Sequence, residues 1–357
     1  MVRSFLVLED GTVFEGVSFG HEGTVIGEIV FTTCMSGYQE SITDPGYKGQ
    51  ILVSAFPFIG NYGVNPEYDI SGAARIAGLV VREYCKEPSD MYGGRALDGY
   101  LKEQKVPGIS EIDTRDVVGI IRDKGAMSAA IVYNEKDIDA VRKKFKKFDF
   151  GKEGLVDAVS IKNVKRIDNG KGIAVGVIDC GADRRMIADL SEKYDVVVFP
   201  YDTNAKDIVA AGVKGLIISG GPGDPEHRDL KGVVRTIKKL SPSMPIAGIA
   251  LGSQLIAKAF GCGIRKLKFG HHGCNQPVKH KDRVHITSQN HMYTVDPAAM
   301  NGTGLIVDLV NVNDGTPEGF SHAALPIFGV QYNPISPKYD EHPYFYERLD
   351  EILGVRK

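Results

Sequence analysis

The sequence predicts an α/β protein of two domains, a β-rich N-terminal α/β domain followed by a doubly wound domain with a parallel sheet. The length of 357 residues fits two domains at about 150 residues each. Short apolar strand patterns separated by turns dominate the first part, and strand patterns alternate with helical patterns in the second. Such alternation with short loops is typical of parallel βαβ units.

The first domain opens with a predicted β-hairpin. An apolar run ends at an Asp-Gly turn formed by Asp10 and Gly11, and a second strand pattern follows, which is a strong hairpin signal. Further strands are predicted within 27–33, 49–57 and 73–84, and helices within 98–105 and 113–126. The last helix has apolar residues at helical spacing and a glycine near its end.

The second domain is predicted as strands that alternate with helices. The strands lie within 172–181, 195–202, 214–225 and 244–251, and the helices within 184–194, 205–213, 230–241 and 252–261. In a sheet of this kind, ligand sites form at the carboxyl ends of the strands.

A basic stretch separates the two parts. Residues 141–170 carry nine Lys and Arg against four Asp and Glu, a net charge of +5. We interpret it as a solvated helix end and a linker, and contact with an anion or a partner is the alternative. The predicted domains are therefore 1–150 and 171–357, with a linker at 151–170.

Composition excludes several classes of protein. The 43 Lys and Arg against 45 Asp and Glu argue against a basic nucleic-acid binder or a polycationic membrane protein. The five cysteines are irregularly spaced with no CxxC pair, so neither a zinc ribbon nor a disulfide framework is predicted. The sequence starts without a long apolar stretch, and no apolar run approaches about 18 residues. We therefore expect a cytoplasmic protein with no membrane or nucleic-acid partner.

Two predicted strand ends stand out as candidate sites. The loop Ser219–Pro225, SGGPGDP, could present backbone N–H groups to an anion or an oxyanion, although a generic glycine-rich turn would also explain it. The stretch Gly248–Gln254, GIALGSQ, has the form of a nucleophile elbow, a sharp turn from strand to helix. Its apex would be Ala250, which has no nucleophilic atom, so the residues alone also fit an ordinary βα turn.

These motifs give the second domain a specific resemblance. SGGPGDP, GIALGSQ and FGVQYNP occur in the order of the three motifs of class I, triad-type glutamine amidotransferases. KFGHHGCNQPV and TSQNHMYTV, with LVLEDGTVFEG, PFIGNYG and GISEIDTRDVVGIIRDKGAM in the first domain, resemble one subfamily, the small subunit of carbamoyl-phosphate synthetase. The resemblance runs from about residue 3 to about residue 340, so it implies the N-terminal small-subunit domain followed by a class I glutamine amidotransferase domain.

The resemblance implies an activity and a partner. Such small subunits hydrolyse glutamine with a cysteine, a histidine and a carboxylate, and pass ammonia to a large subunit that makes carbamoyl phosphate for arginine and pyrimidine biosynthesis. ATP and bicarbonate are expected on the large subunit, with no cofactor or metal in the small one.

The catalytic positions implied by the resemblance have lost their chemistry. The nucleophile position is Ala250, the base position is Asn333 and the carboxylate position is Ile335. None of these side chains can replace the cysteine, histidine or carboxylate, so we expect an inactive glutaminase. The family's glutamine-binding positions fall on a set of residues of which several have changed: Gly46, Gly221, Gly223, Leu251, Gln254, Asn290, Met292 and Tyr293.

The departures favour natural degeneration over an engineered inactive variant. Gly46 and Ser253 stand where the family has serine and histidine, and Met292 stands where it has glycine, which should fill substrate space. One cysteine substitution would suffice for an engineered variant, whereas at least six positions depart. We therefore expect a structural or regulatory subunit whose large-subunit partner uses free ammonia.

Two other functions stay open. The chain could be a glutaminase with an unrecognised nucleophile such as Cys274 or Cys262, although a cysteine without a nearby base should carry little thiolate. It could also be a stand-alone binding protein that meets no synthetase.

Further polar residues are predicted to be structural. His271, His272 and His291 are expected to form structural hydrogen bonds rather than a metal site, because adjacent residues of a strand point to opposite faces. Asp113 and Arg115 form a structural turn or contact a partner, and the sequence does not decide between these.

Overall fold

The structure is a computed structural model that describes residues 2–89, 91, 93–334, 336–340 and 343–355. It divides into two compact units, one of residues 1–153 and 268–273 and the other of residues 154–267 and 274–357. The α/β prediction with a β-rich first part is confirmed. In the described residues, every helix is too short or too polar to span a bilayer.

The first unit contains a closed β-barrel. Its elements are β1 (Arg3–Leu8), β2 (Val13–Gly20), β3 (Val25–Thr32), α1 (Tyr38–Thr43), β4 (Gln50–Ser54), β5 (Phe58–Ile59), β6 (Gly78–Val80), β7 (Glu83–Tyr84), α2 (Leu97–Glu103), β8 (Pro107–Ser110), α3 (Thr114–Lys124), β9 (Met127–Val132) and α4 (Ile138–Phe145). The barrel order is β1-β2-β8-β6-β4-β3-β9. The predicted hairpin is confirmed as β1 and β2, which pair antiparallel from Arg3↔Val17 to Val7↔Val13.

Apolar side chains fill this barrel and attach its helices. Leu6, Ile29 and Ile51 are fully buried in the core cluster that includes α3 residues. The Asp113 carboxylate caps α3 by accepting hydrogen bonds from the backbone N–H groups of Arg115 and Asp116. Asp113 is thus a helix cap, which agrees with the structural alternative, and a contact with a partner stays a prediction.

The second unit is built on a ten-stranded mixed sheet with helices on its faces. Its elements are β10 (Lys165–Ile167), β11 (Ala174–Asp179), α5 (Arg184–Lys193), β12 (Asp195–Pro200), α6 (Ala205–Ala210), β13 (Gly215–Ile218), α7 (Lys231–Leu240), β14 (Ile246–Ile249), α8 (Leu251–Ala259), β15 (Ile264–His280), β16 (Arg283–Val295), β17 (Leu305–Asn311), β18 (Pro317–His322), β19 (Ile327–Val330) and α9 (Tyr344–Ile352). The order is β10-β12-β11-β13-β14-β19-β18-β17-β15-β16.

The centre of this sheet is parallel, as the alternating pattern predicts. β12, β11, β13, β14 and β19 pair in parallel. One core cluster includes residues of α6, α7 and α8, and another includes residues of α5 and α9. Because both faces are covered, the central strands carry continuous apolar runs rather than alternation.

The predicted linker at 151–170 contains ordered structure. β10 pairs antiparallel with β12, from Lys165↔Val198 to Ile167↔Val196. The Asp179 carboxylate, at the end of β11, accepts a hydrogen bond of 2.7 Å from the backbone N–H of Ile161. This part of the chain is therefore attached to the sheet of the second unit.

Candidate functional site

Ala250 occupies a strained turn between β14 and α8. Its backbone angles are φ 45° and ψ −111°, and its side chain is buried. A positive φ is uncommon for a residue with a Cβ, and such strained conformations cost about 1–3 kcal/mol. The elbow predicted from GIALGSQ is therefore present as backbone geometry, with a methyl group at its apex.

The strain at Ala250 predicts an unusual response to glycine. We expect Ala250→Gly to raise the free energy of unfolding by about 1 kcal/mol, because the relief of strain exceeds the entropic cost of glycine of about 0.5–1 kcal/mol. Scanning calorimetry would detect a midpoint rise of about 2–4 °C. Ala257→Gly in α8 is the matched control, since Ala257 is a buried helical residue and its replacement should lower the midpoint. A midpoint for Ala250→Gly that falls as far as the control would show that the elbow stores no strain.

The glycine-rich loop lies directly beside the elbow. A Cβ built on Gly220 would be 3.6 Å from the Ala250 Cβ. A Cβ on Gly221 would be 2.1 Å from the carbonyl oxygen of Cys180, so only glycine permits this approach. Ser219 Oγ accepts a hydrogen bond of 2.9 Å from the Cys180 N–H and donates one of 2.8 Å to the Gly220 carbonyl. The loop is thus fixed against the end of β11.

Lys258 joins the end of this loop to helix α8. Its ammonium donates a hydrogen bond of 2.8 Å to the Pro225 carbonyl and pairs with Glu226 at 2.6 Å. The Lys258 side chain is 19% exposed, so the pair is partly shielded from solvent. The sequence motif gave no sign of this contact, because the lysine lies on the following helix.

The predicted base position follows the end of the strand next to the elbow. β14 and β19 are parallel neighbours with Ile249 opposite Val330, and the Ala250 N–H donates a hydrogen bond of 2.8 Å to the Val330 carbonyl. Asn333 follows three residues later, where its N–H donates a 2.8 Å hydrogen bond to the Ser288 carbonyl. Ala250 and Asn333 therefore follow the carboxyl ends of adjacent strands, while Ile335 lies outside the described residues.

Buried amides occupy the inner side of helix α8. Gln254 Nε2 donates hydrogen bonds to the Tyr293 carbonyl at 2.8 Å and to Gln331 Oε1 at 3.2 Å. Ser253 Oγ donates to the Ala250 carbonyl at 2.8 Å and lies 3.1 Å from Gln331 Oε1. All three side chains are buried. The side-chain amide of Gln254, predicted as a glutamine-binding residue, is thus hydrogen-bonded to other groups of the protein. Gln331 belongs to the same cluster of buried amides, and the sequence analysis did not predict it.

The other predicted binding positions have separate environments. On β16, Met292 and Tyr293 are buried and Asn290 is partly exposed. Leu251 is buried at the start of α8. Gly46 belongs to the first unit, where its N–H donates a 2.8 Å hydrogen bond to Asp44.

His291 belongs to a buried polar network. Its Nδ1 lies 2.9 Å from the Tyr293 carbonyl and its Nε2 lies 3.1 Å from Gln289 Oε1. Both partners are acceptors, so whichever ring nitrogen carries a proton can donate to one of them. Glu318 is fully buried, with a carboxylate oxygen 4.0 Å from Nε2, and it accepts hydrogen bonds from Gln289 and Asn311. His291 thus has hydrogen-bond partners of the predicted structural kind, and the choice between a structural role and a metal site stays a prediction.

The adjacent histidines lie in the first unit. The His272 ring is tilted against the Tyr47 ring, with centroids 5.6 Å apart. Both His271 and His272 are buried.

The cysteines lie outside the elbow apex. Cys274 is exposed, and Cys180 and Cys262 are buried. Burial raises the pKa of the Cys180 and Cys262 thiols, which disfavours the thiolate that would act as a nucleophile.

Comparisons with known proteins agree on one family. The sequence model described as carbamoyl-phosphate synthase small chain, CPSase domain, matches residues 6–131, and that of the class-I glutamine amidotransferases matches residues 168–346. The carbamoyl phosphate synthase small chain of Archaeoglobus fulgidus is 42% identical over 99% of both chains. This chain belongs to the carbamoyl phosphate synthase small chain family. The pyrimidine-specific small chain of Bacillus subtilis is 39% identical and covers 98% of this chain and 95% of its own.

Family membership confirms the predicted fold class and bears on the interpretation of the elbow. The class I amidotransferase match contains the glycine loop, the elbow and the Asn333 segment. That Ala250 stands at the nucleophile position stays a prediction of the resemblance. The structure shows that its backbone has the strained conformation of such a turn.

Proposed function

We propose that this chain is a carbamoyl phosphate synthase small subunit without glutaminase activity, and that it serves as a structural or regulatory partner of a large subunit that uses free ammonia. The observation that carries the proposal is the alanine at the elbow apex. Every other part of the elbow would support attack on a carbonyl group, but a methyl group cannot attack.

The chemistry of amide hydrolysis indicates which catalytic steps this chain would lack. A thiolate would attack the glutamine side-chain amide, a base would move its proton, and backbone N–H groups would stabilise the oxyanion. The glycine loop lies beside Ala250, and Ala250 directly precedes α8. Asn333 cannot accept and return a proton near neutral pH. Removal of a triad leaves only the weak acceleration that binding and oxyanion stabilisation provide.

The proposal assigns the remaining chemistry to the large subunit. ATP and bicarbonate would bind there, and this subunit would need no cofactor or metal. Membership of a family whose relatives are named small chains supports a large-subunit partner. A cytoplasmic location stays a prediction.

A reconstitution assay tests the proposed function. The full chain is purified with its large subunit, and carbamoyl phosphate is measured with ammonium or with glutamine as nitrogen donor. We expect turnover with ammonium and none above background with glutamine. Addition of an independent glutaminase to the glutamine reaction is the control, and it should restore turnover by releasing ammonia. Glutamine-dependent turnover equal to that with ammonium would refute the proposal.

A trapping experiment addresses the alternative nucleophiles. The complex is incubated with a chloroketone analogue of glutamine and digested for mass spectrometry. We expect no analogue-specific adduct on any cysteine. An adduct at Cys274 or Cys262 that free glutamine prevents would favour the unrecognised-nucleophile hypothesis.

A further inference from the structure

A cleft of about 590 Å³ lies in the second unit, beside helix α9. It is bounded by the end of β15, by β17 and β18, and by the first turns of α9. Its volume falls in the range of small-molecule sites, about 300–1,000 Å³. The cleft shares none of its lining with the elbow, the glycine loop or the buried amides.

A β-bulge presents Asp308 at this cleft. β17 pairs with β18 through Val307↔Phe320 and Leu309↔Gly319, so Asp308 is an extra residue between two paired positions. Bulges redirect side chains and are frequent beside functional sites. Asp308 and Tyr344 both line the cleft, so the carboxylate lies beside the wall formed by α9.

The aromatic wall of the cleft is uncharged. The rings of His280 and Tyr344 meet edge to face with centroids 4.9 Å apart. Burial lowers the pKa of His280 and raises the pKa of Tyr344, so both are neutral near pH 7. They offer apolar ring surface beside the Asp308 carboxylate.

The ionic lining of the cleft is negative overall. It consists of four carboxylates and two cations: Asp308, Glu347, Asp350, Glu351, Lys281 and Arg348. Asp350 pairs with Lys193, and Glu351 pairs with Arg348. The excess of carboxylates disfavours phosphate and dicarboxylate ligands and favours a cation.

We propose that this cleft binds a small organic ammonium compound, with the ammonium group on Asp308 and its alkyl chain against the Tyr344 and His280 rings. A charge-assisted hydrogen bond to a carboxylate at an aromatic wall is a strong way to hold an amine. Lys281, at the turn after β15, can pair with one carboxylate of the ligand. Basic amino acids, which carry one carboxylate beside their ammonium groups, therefore belong to the proposed class of ligand. The proposal stands independently of the loss of glutaminase activity.

Isothermal titration calorimetry of the full chain tests the ligand class with three probes of matched length. Pentane-1,5-diamine and L-lysine carry two ammonium groups each, and glutarate is a dianion with the same five-carbon chain. We expect saturable binding to one site for the diamine and for L-lysine, and none for glutarate. Failure of both amines to bind, or glutarate binding as tightly as the diamine, would overturn the proposal.

Two variants locate the binding at this cleft. Asp308→Asn should weaken diamine binding about tenfold or more, as loss of a charge-assisted hydrogen bond implies. Tyr344→Ala removes the ring and should weaken binding several-fold, which covers the case in which Asp308→Asn perturbs the bulge. Asp202→Asn, at an exposed carboxylate elsewhere in the same unit, is the matched control and should leave binding unchanged. Equal affinity in wild type, Asp308→Asn and Tyr344→Ala would overturn the assignment.

Discussion

Substitution of Gly252 by alanine is expected to destabilise the second unit by about 3 kcal/mol, at the upper end of typical overpacking costs. A Cβ on Gly252 would lie 2.1 Å from the Ile218 carbonyl oxygen and 2.8 Å from the Ser219 carbonyl oxygen. Both are backbone atoms at the end of β13, and they cannot rotate away as a side chain can. Helix α8 would have to move off the sheet, and the elbow would move with it.

Scanning calorimetry measures this effect, with a second helical glycine as the control. A loss of about 3 kcal/mol corresponds to a midpoint fall of about 6–12 °C for a unit of this size. A Cβ on Gly232 in α7 would meet no atom within 4 Å, so Gly232→Ala should raise the midpoint slightly through helix propensity. If both variants unfold at the wild-type midpoint, the close approach of α8 to β13 is not a structural constraint.

The parallel core of the second unit was predictable because its signals are local. β11, β13 and β14 are uninterrupted apolar runs, and each is followed by a helix of ordinary amphipathic spacing. The hairpin of β1 and β2 was predictable for the same reason, since its turn is an Asp-Gly pair. In these segments, propensity, patterning and turn chemistry agree.

Barrel closure and the long β15–β16 hairpin were not predicted. Closure depends on the pairing of β1 with β9, which are more than 100 residues apart, and no local pattern encodes it. β16 carries polar residues on its buried face, including Thr287, Gln289 and His291. Their burial is compensated by hydrogen bonds, so the usual alternation of apolar and polar residues is absent.

The candidate site was predictable in position and only partly in structure. The motifs placed Ala250 at the elbow, and the structure adds that its backbone stays strained without a nucleophile. Glu318 and Gln331 were not predicted because each is linked to its network by hydrogen bonds with residues elsewhere in the chain. A buried glutamate in an otherwise apolar strand is the signal that could have indicated the network.

Restoration of the triad alone is expected to give a reactive cysteine without glutamine hydrolysis. In the triple variant Ala250→Cys, Asn333→His and Ile335→Glu, the new thiol would sit at the elbow before the first turn of α8. A helix N-terminus stabilises a thiolate, so iodoacetamide should modify position 250 faster than the buried Cys180 and Cys262. Mass spectrometry after limited labelling measures this selectivity.

Ammonia release from glutamine should nevertheless stay at background in the triple variant, because we expect Met292 to fill substrate space. Met292 is buried and immediately precedes Tyr293, whose carbonyl oxygen is 2.8 Å from Gln254 Nε2. The resemblance implies a glycine at this position, and a substrate displaced by about 1 Å can lose about 100-fold in rate. Addition of Met292→Gly to the triple variant should therefore raise ammonia release by about 100-fold.

The comparison of triple and quadruple variants separates loss of the nucleophile from closure of the pocket. Position 250 should be labelled equally in both, since Met292→Gly leaves the elbow unchanged, while only the quadruple variant should hydrolyse glutamine. Equal hydrolysis by both would show that the pocket never closed and that three side chains alone account for the inactivity. If position 250 is labelled in both variants and neither variant hydrolyses glutamine, the obstruction would lie at Ser253. The Ser253 hydroxyl is hydrogen-bonded to the Ala250 carbonyl and to Gln331 Oε1. Ser253→His would then be the next substitution to test, because the resemblance implies a histidine after the elbow glycine.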